Sequence, residues 1–201
     1  MMKHDTLVIA TRNRGKAREF TEMLTPKGIT IKTLADYPEI GEIKENGKTF
    51  EENATLKAEA IASHTQLPVL ADDSGLEVAA LNGDPGIYSA RYAGDHDDAA
   101  NNAKLLNKLA AVPADHRQAV FHTTLVLVKP NGDKLVVDGE VQGVILTAPR
   151  GENGFGYDPL FYIPSKKKTM AEMTDHEKNA ISHRGRAAEK MMAQFDSWWE
   201  A

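Results

Sequence analysis

The amino-acid sequence predicts a mixed α/β protein in which a twisted sheet is flanked by helices. Short apolar runs typical of buried strands alternate with segments whose apolar residues recur at helical spacing. In the second half, two long apolar runs flank an Asn-Gly pair, which is a sequence signature of a β-hairpin. Because hairpin strands are antiparallel, the sheet is not purely parallel. The length of 201 residues suits one sizeable core, and we expect a single domain over residues 1–201.

The first third of the chain predicts strands and helices in alternation. Leu7 to Ala10 forms a buried strand, and the helical repeat that follows ends at Gly28. The run ITIKT is a second strand. A further helix from Thr49 to about Ser63 begins with a capping box, because Glu52 lies three residues after the Thr.

The remaining elements complete the predicted sheet and its helices. PVLADDSGLEVAAL predicts a strand, a sharp turn at Asp-Asp-Ser-Gly and a second strand. Asp95 to Ala110 is an amphipathic helix, and the hairpin follows it. One last helix begins at a capping box of Thr174 and Glu177. Its apolar stripe contains Ala187, Met191 and Phe195.

Composition excludes several classes of protein. The formal net charge of −5 argues against a general nucleic-acid binder, because binding to phosphate backbones usually requires an excess of basic residues. The absence of cysteine excludes disulfides and thiolate chemistry. No apolar run suits a signal peptide or a membrane span, so we expect a cytoplasmic protein without a membrane partner.

The stretch TRNRGK follows the first predicted strand and opens the first predicted helix. Free backbone N–H groups and the positive end of a helix dipole favour a phosphate there. The stretch is not a Walker loop, since the GK[ST] ending is missing. An alternative is a solvated turn with basic residues for solubility. The candidate phosphate-binding residues are Thr11, Arg12, Asn13, Arg14, Gly15 and Lys16.

The stretch LADDSG places two adjacent carboxylates, Asp72 and Asp73, after an apolar strand. Adjacent acids repel each other unless a cation compensates, and Mg²⁺ prefers such hard oxygen ligands when substrate phosphates also hold it. Glu45, in the loop before the second helix, is a candidate third acid. The alternative is an ordinary surface turn.

Two later stretches carry aromatic and basic side chains. In GFGYDP, glycines next to Phe155 and Tyr157 allow a close approach to a ligand, and a ring could stack on a base. Core packing is the alternative for these rings. In EKNAISHRGRA, Lys178, His183 and Arg184 fall within two helical turns, for which a solvated helix face is the alternative.

Six motifs together resemble the inosine/xanthosine triphosphate pyrophosphatases, a family that cleaves deaminated purine nucleoside triphosphates to the monophosphate and pyrophosphate. The motifs are TRNRGK, FEENATLKA, LADDSGLEV, PGIYSARYAG, GFGYDPLF and EKNAISHRG. They occur in the right order and span almost the whole chain. The resemblance implies two lobes around a central nucleotide-binding cleft, and a homodimer.

The resemblance also implies roles for individual residues. Glu45 and Asp73 would hold Mg²⁺, with Asp72 as a further candidate ligand, and Asp73 would also accept a proton from water. Arg12 and Arg14 fill variable positions of the first motif. The residues implied to bind the purine nucleoside triphosphate are Thr11, Arg12, Asn13, Arg14, Gly15, Lys16, Lys57, Ser74, Phe155, Gly156, Tyr157, Asp158, Lys178, His183 and Arg184.

Other interpretations stay open at this point. The related septum-formation-type nucleotide pyrophosphatases act on other bases, and a non-catalytic nucleotide-binding module would keep the pocket without turnover. A covalent mechanism through Ser74 is disfavoured, because no base is placed beside it by sequence. The Trp198-Trp199 pair either caps the core or marks an apolar contact with a partner subunit.

Overall fold

The computed structural model describes residues 5–94 and 97–201, and its strands form one mixed sheet. The strands are β1 (Thr6–Ile9), β2 (Thr30–Thr33), β3 (Val69–Val78), β4 (Gln118–Val128), β5 (Lys134–Ile145), β6 (Phe161–Ile163) and β7 (Lys168–Thr169). The helices are α1 (Arg14–Leu24), α2 (Phe50–Thr65), α3 (Asp98–Lys108), α4 (Asp175–Asn179) and α5 (His183–Glu200). Short 3-10 helices cover Thr25–Lys27, Leu34–Asp36, Ala79–Leu81, Gly86–Arg91, Ala114–His116, Pro164–Lys166 and Met170–Glu172.

The sheet has the strand order β2-β1-β3-β4-β5-β6-β7. Strand β1 pairs in parallel with both β2 and β3, whereas β6 pairs antiparallel with both β5 and β7. The predicted mixed α/β class is therefore confirmed. The hairpin of β4 and β5 turns through Lys129–Asp133, and Gly132 takes the left-handed conformation at φ +88° that this turn requires.

The chain forms two compact units. Unit 1 comprises Met1–Asp73, Thr124–Asp138 and Ala187–Ala201, and unit 2 comprises Ser74–Thr123 and Gly139–Arg186. In the described part of the chain, none of the helices is long and apolar enough to cross a membrane.

Unit 1 has apolar clusters on both faces of β1. Leu7 and Ile9 belong to one cluster, and Val8 and Ala10 belong to the other. Successive strand residues point to opposite faces, so a strand covered on both sides reads as a continuous apolar run. Trp198 is 8% exposed and belongs to the first of these clusters, so it caps the core as one of the two interpretations above proposed.

The predicted turn at Asp-Asp-Ser-Gly is wrong, because these residues lie inside the ten-residue strand β3. Asp72 and Asp73 therefore lie within a strand and not at its end, and both are buried. The turn preference of such residues is local and weak, whereas strand pairing and cationic partners elsewhere in the chain stabilise the extended form. The interpretation as a surface turn fails for the same reason.

The last predicted helix is divided into α4 and α5. The predicted capping box of Thr174 and Glu177 is confirmed at the start of α4. The chain then leaves the helix, and the Ser182 hydroxyl accepts a hydrogen bond from the Gly185 N–H at 3.0 Å. A Cβ atom on Gly185 would lie 1.8 Å from the Asn179 carbonyl oxygen, so only glycine allows this close approach.

The other helix boundaries differ slightly from prediction. Helix α2 begins after Thr49, whose hydroxyl accepts from the Glu52 N–H, but the Glu52 carboxylate accepts from the Lys48 N–H in place of that of Thr49. Helix α3 begins at Asp98, and Asp97 caps it. The predicted start at Asp95 lies outside the described residues.

Candidate active site

The turn from β1 into α1 is built by its own side chains. Asn13 caps α1, accepting from the Lys16 N–H at 3.1 Å, and the Thr11 hydroxyl accepts from the Asn13 N–H at 3.2 Å. The Arg12 guanidinium donates to the Ile40 carbonyl, and Arg14 is exposed. The predicted strand-to-helix turn is thus confirmed, and its N–H groups begin a helix with no acidic residue in its first turn.

A group of charged side chains in unit 1, here called the carboxylate cluster, comprises Lys16, Glu45, Lys57, Asp72 and Asp73. Lys16 Nζ lies 2.7 Å from Asp72 Oδ2, and Lys57 Nζ lies 3.1 Å from Glu45 Oε1. Helices α1 and α2 each present one lysine, while β3 presents the two aspartates. The structure therefore brings together residues that four separate segments of the chain supply.

The charged groups of this cluster shift one another's pKa values. Burial raises the pKa of Asp73 to about 6, and Glu45 adds to the rise, although Lys57 and Lys16 oppose it. Burial alone would lower the pKa of Lys57, but the charges of Asp72, Asp73 and Glu45 outweigh burial and raise it. Lys57 therefore stays protonated, and the cluster contains more carboxylates than ammonium groups.

Asn53 is a residue of this site that the sequence reasoning missed. Its side chain is fully buried on α2, donates to Asp73 Oδ2 at 3.0 Å and accepts from the Gly47 N–H at 2.9 Å. It thereby ties the Asp73 carboxylate to the loop that contains Glu45. The available signal was an Asn inside the FEENATLKA motif, since a buried amide must find polar partners.

The oxygen ligands of the carboxylate cluster suit a divalent cation that substrate phosphates also hold. Within residues 5–94 and 97–201, no three His, Asp or Glu side chains are arranged to hold a metal ion by themselves. Mg²⁺ is usually held by one or two carboxylates together with substrate phosphates, so a complete protein cage is not needed. Glu45 and Asp73, with their oxygen ligands and the net negative charge around them, fit that mode.

Ser74 is half-buried, and its hydroxyl lies 2.7 Å from the Thr123 hydroxyl. A neighbouring hydroxyl is not a general base, so this contact does not activate Ser74 as a nucleophile.

Unit 2 contains a second group, here called the aromatic cluster, made of Phe155, Asp158, Lys178, His183 and Arg184. Lys178 Nζ lies 2.8 Å from Asp158 Oδ2, and the same oxygen accepts from the Phe155 N–H at 3.0 Å. Burial raises the pKa of Asp158, while the charge and hydrogen bond of Lys178 oppose the rise. Lys178, His183 and Arg184 are all buried, so the interpretation as a solvated helix face is wrong.

The half-exposed Phe155 ring has cations close to it. Lys178 Nζ is 4.5 Å and Arg184 Cζ is 5.6 Å from the ring centroid, which are cation–π distances. His183 stacks on Phe121 with the ring centroids 4.9 Å apart. Tyr157, in contrast, is buried in the core of unit 2, so core packing explains its ring.

Gly154, the residue before Phe155, leaves room for the buried pair of Asp158 and Lys178. Gly154 has φ +77°, and a Cβ atom on it would lie 2.1 Å from Asp158 Oδ2. A side chain at this position would displace the carboxylate that binds Lys178.

A model of the Ham1 family matches residues 7–194. The chain belongs to the Ham1 family. A relative from Lactiplantibacillus plantarum, named dITP/XTP pyrophosphatase, is 64% identical, and the match covers 99% of this chain and 98% of that protein. A Streptococcus mutans relative of the same name is 53% identical over 98% of this chain and 61% of its own length. The Staphylococcus aureus Ham1 protein structure is 44% identical, with a TM-score of 0.86 over 96% of this chain and 98% of that one.

Membership in the Ham1 family confirms the resemblance that the six motifs indicated. In this Ham1 chain, Lys16, Glu45, Lys57, Asp72 and Asp73 meet in the carboxylate cluster. The basic and aromatic residues predicted for the nucleoside meet separately, in unit 2. Their roles toward substrate stay predictions.

Proposed function

We propose that this chain is an Mg²⁺-dependent nucleoside triphosphate pyrophosphatase that hydrolyses ITP, dITP and XTP to the nucleoside monophosphate and pyrophosphate. The observation that carries the proposal is the carboxylate cluster in a Ham1 chain, with buried Asp72 and Asp73 opposite two lysines. Relatives that match nearly the full chain, named dITP/XTP pyrophosphatases, support the substrate class. Clearing such nucleotides from the nucleotide pool is the corresponding role.

The residues of the carboxylate cluster divide the chemistry among them. Lys16 and Lys57 place positive charge where phosphate oxygens must be neutralised, and Glu45 and Asp73 would hold Mg²⁺. When bound, Mg²⁺ supplies charge stabilisation for the phosphates and the leaving group. Asp73, held by Asn53, orients the attacking water and accepts its proton, so no covalent nucleophile is needed.

The bond that breaks follows from which phosphates the cluster holds. If the β and γ phosphates are held as the leaving group, water attacks the α phosphorus and pyrophosphate leaves as one unit. The initial products are then a nucleoside monophosphate and pyrophosphate. A phosphatase that attacked the γ phosphorus would release orthophosphate.

The aromatic cluster supplies the features that a deaminated purine needs. Hypoxanthine and xanthine present a 6-keto acceptor next to an N1–H donor, whereas adenine reverses both polarities. Arg184 and Lys178 can only donate hydrogen bonds, and Phe155 offers a ring for stacking. Adenine would leave donors facing donors, at about 1–3 kcal/mol for each buried unpaired group.

The test is an assay of pyrophosphate release with ITP, dITP, XTP, ATP and GTP, in Mg²⁺ and in EDTA. We expect kcat/KM for ITP to exceed that for ATP and GTP by about a hundredfold or more, equivalent to about 3 kcal/mol of discrimination. EDTA should abolish turnover, and added Mg²⁺ should restore it. Equal turnover of ATP and ITP, or orthophosphate as the first product, would contradict the proposal.

We also propose that the chain works as a cytoplasmic homodimer, as the family resemblance implies. Light scattering on a size-exclusion column separates a mass near 22.0 kDa from twice that value. Cell fractionation tests the cytoplasmic location.

A further inference from the structure

The motif PGIYSARYAG has no role in the function proposed above, yet it anchors the loop of the aromatic cluster. Ser89, in the 3-10 helix Gly86–Arg91, accepts from the Leu76 N–H of β3 at 2.9 Å and donates to the Gly86 carbonyl at 2.6 Å. The Ser89 carbonyl accepts from the Tyr157 hydroxyl at 2.8 Å. The buried Tyr157 ring is therefore tied to β3 through Ser89.

Two side chains of helix α3 bind the same loop at Gly156, one residue before Tyr157. Asp98 Oδ2 accepts from the Gly156 N–H at 2.7 Å, and Asn102 Nδ2 donates to the Gly156 carbonyl at 2.8 Å. Asn102 Nδ2 also donates to the Asp98 carbonyl at 2.8 Å. One helical turn of α3 thus satisfies both backbone polar groups of Gly156.

The orientation of the Asn102 amide is determined by these contacts. Rotating the amide by 180° would place its oxygen against two carbonyl oxygens, so the nitrogen must face them. The Asn102 oxygen is then buried without a hydrogen-bond partner among the residues that the structure describes. An unpaired buried acceptor is unfavourable, so this orientation of the amide lowers stability. A role in holding the loop would explain why that loss is tolerated.

The loop needs such restraint because of its glycines. Gly154 and Gly156 both have positive φ, and glycine has more conformations available than any other residue. Phe155 lies between them and is the half-exposed ring next to Lys178 and Arg184. The contacts to Gly156, together with the hydrogen bond from the Phe155 N–H to Asp158, therefore restrict the backbone that carries the Phe155 ring.

We propose that Asp98 and Asn102 are positioning residues that hold the 155–158 loop in its base-binding geometry and thereby contribute to selectivity for the base. They act through the loop and not by touching the substrate. This inference rests on the proposed function only for its kinetic readout, since hydrogen exchange measures the contacts of Asp98 and Asn102 to Gly156 independently of activity.

The experiment compares four variants with the wild type, using the full chain. Asp98→Ala and Asn102→Ala remove the contacts to Gly156. Asp98→Asn is the conservative rescue, because its amide oxygen still accepts from the Gly156 N–H. Asp97→Ala is the structural control: Asp97 caps α3 by accepting from the Ala100 N–H at 2.9 Å, whereas the hydrogen bonds to Gly156 are made by Asp98 and Asn102. The readouts are kcat and KM for ITP and ATP, Tm, and hydrogen exchange of the peptide that contains Gly156.

We expect Asp98→Ala and Asn102→Ala to raise KM for ITP about tenfold and to change kcat less than about threefold, as lost preorganisation predicts. The ratio of kcat/KM for ITP to kcat/KM for ATP should fall in both variants. Amide exchange of the loop should accelerate in both. Asp98→Asn should return to within about threefold of wild type. Asp97→Ala should lower Tm and leave KM unchanged.

Three results overturn this inference: unchanged loop exchange in Asp98→Ala, an unchanged KM in an active Asp98→Ala variant, or the same KM change in Asp97→Ala. A wild-type enzyme that does not hydrolyse ITP overturns the proposed function instead. In that case loop exchange in Asp98→Ala still decides whether the hold on Gly156 exists.

Discussion

The carboxylate cluster of unit 1 and the aromatic cluster of unit 2 have opposite balances of charge. In the first, Glu45, Asp72 and Asp73 outnumber Lys16 and Lys57, and burial raises the pKa of Asp73 to about 6. A triphosphate carries several further negative charges, and the proposed Mg²⁺ would offset them in this region.

The aromatic cluster has the reverse balance. Asp158 is the one carboxylate among its five members, and it faces the cations Lys178 and Arg184 next to the Phe155 ring. A neutral, planar base with a keto oxygen suits such a region. Because the two clusters have opposite charge balances, we expect variants in the carboxylate cluster to affect kcat and variants in the aromatic cluster to affect KM.

The largest effect is expected for Asp73→Asn. Losing the proposed Mg²⁺ ligand and proton acceptor should lower kcat for ITP by at least about a hundredfold, because a positioned base contributes on that scale. The fold should persist, since an Asn side chain can still accept the hydrogen bond from Asn53. Circular dichroism checks the fold, and pyrophosphate release checks kcat.

Asp72→Asn is the matched comparison, because Asp72 is the neighbouring acid and pairs with Lys16 at 2.7 Å. It should retain more activity than Asp73→Asn. Near wild-type activity of Asp73→Asn would contradict the assignment of the base.

Asn53→Ala should lower kcat about tenfold, with KM less affected, because the Asp73 carboxylate loses the group that orients it. Thr49→Ala is the control on the same helix: it removes the cap of α2 without touching Asp73. Both variants should lower Tm, but only Asn53→Ala should lower kcat. An equal loss of kcat in both would show that helix stability alone is responsible.

Phe155→Leu should raise KM for ITP about fivefold to tenfold with little change in kcat, because stacking on a base is worth about 1–3 kcal/mol and leucine retains part of the contact. Tyr88→Leu is the control, since the exposed Tyr88 ring also lies next to an arginine, Arg91. Tyr88→Leu should leave both kinetic constants unchanged. An unchanged KM in Phe155→Leu would remove the ring from base binding.

The smallest effect concerns Glu177, which lies outside both clusters. Hydrogen bonding from the Thr174 N–H and the contact to Lys168 lower the pKa of Glu177 from 4.5 to about 2. A lowered pKa stabilises the folded state above pH 4.5, and that stability is lost as the pH falls through about 2.

Glu177→Gln should therefore lower Tm slightly at pH 7, because solvent screens this exposed carboxylate, and its Tm should approach that of the wild type near pH 2. Thermal unfolding followed by circular dichroism across this pH range measures the difference. A constant offset at every pH would show that the carboxylate charge is not the cause.

Elements with a strong local pattern could be predicted from the sequence. The strand β1, the helices α1 and α2 and the β4–β5 hairpin follow apolar periodicity or turn chemistry, which depend on neighbouring residues only. The interruption between α4 and α5 could not be predicted, because it depends on the approach of Gly185 to the Asn179 carbonyl. The strand through Asp72 and Asp73 was missed because residues distant in sequence stabilise it.

The sequence by itself determined which chemical groups the protein has: a helix N-terminus without acidic residues, adjacent carboxylates, and an aromatic ring between glycines. The tertiary structure alone decided the partners, which pair Asp72 with Lys16, Glu45 with Lys57 and Asp73 with Asn53. The physical reason is burial. Removing a carboxylate from water requires a specific cation or donor at hydrogen-bond distance, and only packing of separate segments places that partner there.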